Sequence, residues 1–296
     1  MNRTPPRRVR EELRKEVNFG CPVPKCGVPY LTWHHFDPPW SEKKHHNPEG
    51  MIALCANHAS LADGGRWTKD QLRQMKEKPY VTSDKVSEYY DYLRKDVVCI
   101  VGNVAYNVKN VLEIHEERVI GFERDSEGYS RLNLFIRDKS GNPILVMDNN
   151  FWIAISEALF DLRCSVRGKE LEIMSKDKKT NLFMRFDDYP LEKFRSQLRK
   201  YQQQSFSKLK ELVKSGELHP NAASIDEFIS CIGSPEIIPT WTITGRLSWG
   251  KVDLDISNYG ITDLKNHSFF GMSFVVGGKT AFGFQDGSVV FGMSGN

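Results

Sequence analysis

No run of about 18 apolar residues occurs anywhere in this 296-residue sequence, so it carries no evident membrane-spanning helix. The basic start, MNRTPPRRVR, leads into charged sequence and not into an apolar segment, and the chain reads as soluble, unexported, cytoplasmic and without a membrane partner. From Val97 to Asn296 a glycine-rich phosphate loop, a nucleophile elbow and a cluster of acidic metal ligands are also missing. Without them that part of the sequence offers no P-loop, serine-hydrolase or acidic-cluster metal chemistry. Cysteine is scarce and unevenly used: Cys21, Cys26 and Cys55 sit close together, whereas Cys99, Cys164 and Cys231 are scattered singly through apolar stretches and read as core residues. That distribution argues against a disulfide framework and for a metal site in a reducing compartment.

What is present is local. At 40% hydrophobic the chain can bury a sizeable core, and its length favours two or three domains. The net charge of +3 says little, but residues 1–80 hold 14 Lys/Arg against 9 Asp/Glu and leave the remainder slightly acidic. Histidine is skewed in the same way. Five of eight, His34, His35, His45, His46 and His58, fall within 25 residues.

The expected fold class is α+β. Residues 1–80 read as a small unit with strands at Tyr30–Phe36 and Met51–Leu54, a helix from Ala56, and a second helix capped by Thr68. Residues 81–96 read as a helical connector capped by Ser83, with Val86, Tyr89, Tyr90 and Leu93 at helical spacing. From 97 to 188, segments such as VIGFE, RLNLFIR, PILVM and NLFMRF alternate with turn-forming clusters, as in an antiparallel meander. Residues 189–236 read as helical: a long cationic helix over 190–214 with Asp188 as its cap and Leu191, Phe194, Leu198 and Tyr201 as its apolar stripe, then a shorter helix from Ser224. The cationic face either tracks a phosphate backbone or is merely solvated. Residues 237–296 are β-rich and glycine-rich, a composition suited to packing against another chain and hence to a homo-oligomer.

Cys21 and Cys26 lie on a proline-rich knuckle, and Cys55 and His58 form a second short-spaced pair. Sulfur and imidazole ligands in two such pairs suit a structural Zn2+, which would replace missing hydrophobic burial. Between the pairs lie LTWHHFDPPW and HHNPEGMIALC. A His-His pair, a downstream Asn and a metal-binding pair entering a helix resemble the zinc-stapled HNH family of His-Me finger nucleases, over about residues 15–78. That resemblance implies a ββα-metal finger. It makes His35 the general base, His34 a ligand of a catalytic Mg2+ or Mn2+, and Asn47 the residue that braces the loop and orients the base. A zinc-shell pair, or ordinary strand residues, is the plainer account of the two histidines. Lys43 and Lys44 read as exposed cations facing phosphate. His45 and His46 read as solvated loop residues near enough to touch it, and Trp33 and Trp40 as small-core packing.

One position departs from the family pattern. The residue after the second ligand pair is expected to be His or Asn and to supply a further ligand to the catalytic metal; here it is Ala59. A methyl group binds no cation, and Asp63, one turn later, is only a weak substitute. Ala59 is either an inactivating substitution, favoured because the other positions are intact, or natural degeneration. The architecture resembles effector nucleases of antiviral defence, with homing-type and repair nucleases as competitors. It implies double-stranded DNA as the partner, with an activating ligand or partner protein in addition. The alternatives from other classes are a non-enzymatic zinc module that binds nucleic acid and an assembly protein.

Overall fold

A computed structural model describes residues 2–81, 84–213, 224–250, 252–265, 268–277, 279–285 and 288–291. The chain divides into two compact units, one of residues 1–89 and 152–176 and the other of residues 90–151 and 177–296. Five α-helices and mostly antiparallel strands among the described residues make it an α+β protein. None of those helices is long and apolar enough to cross a membrane.

The first unit opens with helix α1 (Arg7–Glu16), which the sequence reading missed because most of its residues are charged. It is nonetheless amphipathic, burying Leu13 completely and Arg14 almost so. Strand β1 (Leu31–His35) pairs antiparallel with β2 (Met51–Cys55), with His34 opposite Ile52 and His35 opposite Met51. Helix α2 (Ala56–Asp63) leaves β2 directly, and α3 (Lys69–Glu77) follows with the capping box of Thr68 and Gln71. The core beneath them gathers Leu13, Val17, Leu31, Phe36, Met51, Ile52, Leu54 and Leu72.

The helical connector is corrected. Residues Lys85–Tyr89 form strand β3, and Ser83, its expected cap, lies outside the described residues. Val86 and Tyr90 are buried four residues apart, a spacing that fits one helical turn and two strand repeats equally well.

In the second unit, β4 (Val98–Val101) and β5 (Asn103–Tyr106) form a tight antiparallel pair. Then β6 (Asn110–Ile114), β7 (Glu117–Arg124), β8 (Ser130–Arg137) and β9 (Pro143–Asp148) run as the expected antiparallel meander. The chain re-enters the first unit with β10 (Phe151–Ile155), next to β3 in its sheet, and the antiparallel pair β11 (Leu159–Cys164) and β12 (Glu170–Ser175). These strands are part of the first unit although about sixty residues separate them from its first segment.

Arg14 ties α1 to β11. Its Nε and Nη2 donate to the two carboxylate oxygens of Asp161 at 2.9 and 2.6 Å, and the pair is 6% and 15% exposed. A buried charge stranded without its partner is expensive. Asp161→Ala is therefore expected to destabilise the first unit by about 3 kcal/mol, and Arg14→Met with Asp161→Leu to recover most of that loss. Denaturant unfolding of the two variants and the unaltered chain checks both values; equal losses in the single and double variants would contradict them.

The second unit closes with β13 (Asn181–Pro190), α4 (Leu191–Val213), α5 (Ile225–Cys231), and β14 (Ile237–Trp249) paired to β13, β15 (Val252–Ser257) and, in parallel, β4. Strands β16 (Gly260–Asp263) and β17 (Ser268–Gly271) extend this run. Short strands β18 (Phe274–Val276), β19 (Phe282–Gln285) and β20 (Ser288–Phe291) complete the described tail. The stripe of α4 is buried as expected, with Phe194 and Leu198 fully enclosed against Ile229 and Ile238. Asp188 does not cap that helix; its carboxylate holds Arg94 at 2.9 Å. Cys231 is likewise exposed and not a core residue, whereas Cys99 and Cys164 are buried. The glycine-rich end, residues 292–296, lies outside the described residues.

Candidate metal centre and adjoining histidine site

The knuckle that carries the first two cysteines is built by backbone geometry. The Cys26 N–H donates to Val23 O at 3.0 Å and the Gly27 N–H to Cys21 O at 3.1 Å. Lys25 and Gly27 both take positive φ, +65° and +69°, which closes the turn. Cys55 ends β2 at the N-cap of α2 and so lies one helical turn from His58.

The result is one cluster. Cys21 Sγ, Cys26 Sγ, Cys55 Sγ and His58 Nδ1 all lie within 4.8 Å of one another. His58 Nδ1 is 3.3 Å from both Cys21 Sγ and Cys55 Sγ, and the Cys26 and Cys55 sulfurs are 3.8 Å apart. Ligands at zinc distances on tetrahedral corners would be about 3.5–3.8 Å apart, so the donor set fits a bound divalent cation with little adjustment. Burial pushes the Cys21 and Cys26 thiols up, disfavouring uncompensated thiolates and leaving a role for a cation's charge. Trp67 meets the His58 ring edge-on at 5.8 Å. This Cys3His cluster is the one grouping among the described residues that could hold a metal ion by donor proximity.

The histidine pair lies at the far end of β1, where adjacent side chains point to opposite faces. His34, buried, turns to α2, and its Nδ1 is 3.1 Å from Asp63 Oδ1. Burial lowers the His34 pKa, the Asp63 carboxylate works against that fall, and the charge of Arg3 adds to it. A carboxylate accepting from Nδ1–H leaves the lone pair on Nε2, the arrangement by which acidic residues orient metal-binding histidines. Asp63, expected as a weak substitute ligand, is thus the orienting partner of His34 in this geometry. Ala59 is four residues before Asp63 and so on the same face of α2, which is the face turned to β1.

His35 turns the other way, into a nest of rings. Trp40 packs at 4.7 Å between centroids, His45 edge-on at 5.3 Å and His46 at 5.9 Å. Desolvation, followed by the neighbouring His45, pushes the His35 pKa down to about 4, so the ring is neutral at cellular pH.

Several expected roles change in this loop. His45 was expected to reach phosphate, but both its ring nitrogens are committed: Nε2 to Pro38 O at 2.8 Å and Nδ1 to the Asn47 N–H at 3.1 Å. His46 and Trp40 are half-buried and stack on each other, so neither is a solvated loop residue or plain core packing. Trp33 does pack on the small core, as expected. Asn47 caps the following turn by accepting the Glu49 N–H at 3.3 Å. Its other bond, from its own N–H, goes to His45, so it meets His35 only through His45. Lys43 and Lys44 are exposed as expected.

The loop's two ends are pinned. Asp37 holds Lys69 at 2.8 Å and also Arg73, both on α3, a brace no local sequence signal announced. Gly50 lies against the Asp37 carbonyl, where a Cβ would come within 1.9 Å of that oxygen and 3.0 Å of His45 Cε1. Gly50→Ala is therefore expected to displace the loop under His35 and to cost at least about 2 kcal/mol of stability. Thermal unfolding measures it, and an unchanged midpoint would contradict the packing.

Comparison with family models, curated proteins and solved structures yields no match for this chain.

Proposed function

We propose that the first unit is a metal-dependent HNH-type endonuclease that hydrolyses phosphodiester bonds of double-stranded DNA, and that Ala59 holds this version inactive. One constellation carries the proposal: a strand pair and helix that hold the His34–Asp63 pair and position 59 on one side of β1, with His35 next in the strand on the other, in the same unit as a Cys3His cluster. In this reading the β1–β2–α2 unit is a ββα-metal finger, and the Cys3His cluster binds structural Zn2+.

His35, neutral at cellular pH, accepts the proton of the attacking water. His34, its Nδ1 held by Asp63, offers Nε2 to a Mg2+ or Mn2+ ion, and a histidine at position 59 would complete the ligand set. That cation, when bound, stabilises charge on the scissile phosphate and the leaving oxygen. Lys43 and Lys44 supply exposed charge for the phosphate backbone, a contribution that salt should screen. The second unit serves targeting, assembly or response to an activating signal, as in an antiviral-defence effector.

A second reading is favoured by Ala59 itself: a zinc-containing module that binds nucleic acid without cutting it. Cleavage of supercoiled plasmid by this chain and by its Ala59→His variant, with magnesium, manganese or chelator, separates the two. Metal-dependent cutting by the variant supports the nuclease; retained binding with no cutting supports the module.

A further inference from the structure

The group assigned as general base is sealed. His35 is 4% exposed, and both ring nitrogens are enclosed, facing the His45 backbone and not solvent. A base acts on water only within hydrogen-bond reach, so the closed arrangement cannot perform its own first step.

The cover is identifiable. Trp40 is the ring closest to His35, and His46 stacks on Trp40 at 5.5 Å with planes 24° apart. The His46 Nδ1 is enclosed too, with no hydrogen-bond partner among the described residues. Around this pair the loop is fixed at its base by the Asp37 salt bridges, the His45–Pro38 bond and the Asn47 cap. Between those anchors, the Glu42 and Lys43 N–H groups share one acceptor, Pro39 O, so a single turn holds the tip. Lys43 and Lys44 are exposed at that tip, with no ion pair among the described residues. An element fixed at both ends, lightly held between them and tipped with two exposed cations is suited to respond to a polyanion.

We propose that Trp40, with His46 stacked on it, covers His35, and that DNA phosphates docking on Lys43 and Lys44 draw the cover away and open the base to water. Trp40 is then a positioning residue, and hydrolysis is confined to the moment when duplex is bound. The proposal rests on the endonuclease reading for its purpose, but the cover itself is tested without any cleavage.

Two measurements on the full chain test it. Diethyl pyrocarbonate modification, mapped by mass spectrometry, should mark His35 slowly in the free protein. Trp40→Ala should raise its rate about tenfold relative to His115 and Trp40→Phe should raise it less, as removal of a local cover requires. Rapid marking of His35 in the unaltered chain would overturn the cover. In the second, fluorotryptophan-labelled protein, with Trp40 assigned from Trp40→Phe, is mixed with a short duplex while a mobility shift records binding. The Trp40 fluorine resonance should move on binding and stay in place in Lys43→Glu/Lys44→Glu. Duplex bound with Trp40 unmoved overturns the proposal and leaves the nuclease reading intact. No duplex bound at all overturns both, and the mobility shift distinguishes that case.

Discussion

With histidine in place of Ala59, supercoiled plasmid should be nicked and linearised in magnesium or manganese, at a rate at least about 10²-fold above the unaltered chain, since a cation poised at the phosphate contributes several kcal/mol. The size of the effect follows from what is already in place. His34 is oriented by Asp63 at 3.1 Å, and His35 is kept neutral by burial. On the endonuclease reading, a single imidazole nitrogen one turn from Asp63 on α2 is what the proposed ligand set lacks. Chelator should abolish the gain, and adding His34→Ala to the restored variant should return it to background. Cutting that survives His34→Ala would assign the chemistry to other residues. Silence of the restored variant on plasmid would favour the binding module.

Which parts were legible in the sequence follows from how local each feature is. The Cys3His set could be read because coordination demands two short-spaced pairs, and the Thr68–Gln71 cap because its two bonds span three residues. The β1–β2 pairing and the onset of α2 at Ala56 were legible for the same reason. Features set by tertiary packing were not. Arg14 and Asp161 are 147 residues apart, so nothing near Arg14 announces that β11 belongs to the first unit. Helix α1 hides because only a narrow stripe around Leu13 is apolar, and β3 was misread because its buried residues fit two periods. The misassignment of Asp188 has a similar origin, since an acidic residue before a helix suggests a cap until Arg94 claims it. At the site itself, spacing identified His34 and His35 as candidates. Only packing placed Trp40 and His46 over one and Asp63 against the other.

Removing the metal should have the largest structural effect of any treatment. The chain as purified should carry one zinc per molecule by elemental analysis. Cys55→Ser or Cys21→Ser should lose it, and the knuckle, β2 and α2 should unfold with it. The cluster ties the Cys21–Cys26 turn to the end of β2 and the start of α2, and both Cys21 and Cys55 are themselves part of the buried core. Structural zinc in small fingers contributes about 10–16 kcal/mol, as much as or more than the roughly 5–15 kcal/mol by which a whole domain is stable. The handful of apolar residues around Leu13, Ile52 and Leu54 has little reserve to replace it. Hydrogen exchange should therefore show amides of β1, β2 and α2 losing protection in the Cys55→Ser chain, while those of β6 to β9 keep theirs. Since α2 carries Asp63 and position 59, the same substitution placed in the Ala59→His variant should abolish cleavage even with magnesium in excess. If the zinc-free chain keeps full protection across β2 and α2, the cluster is no structural staple, and the stability of this unit must come from its packing on α1 and β11.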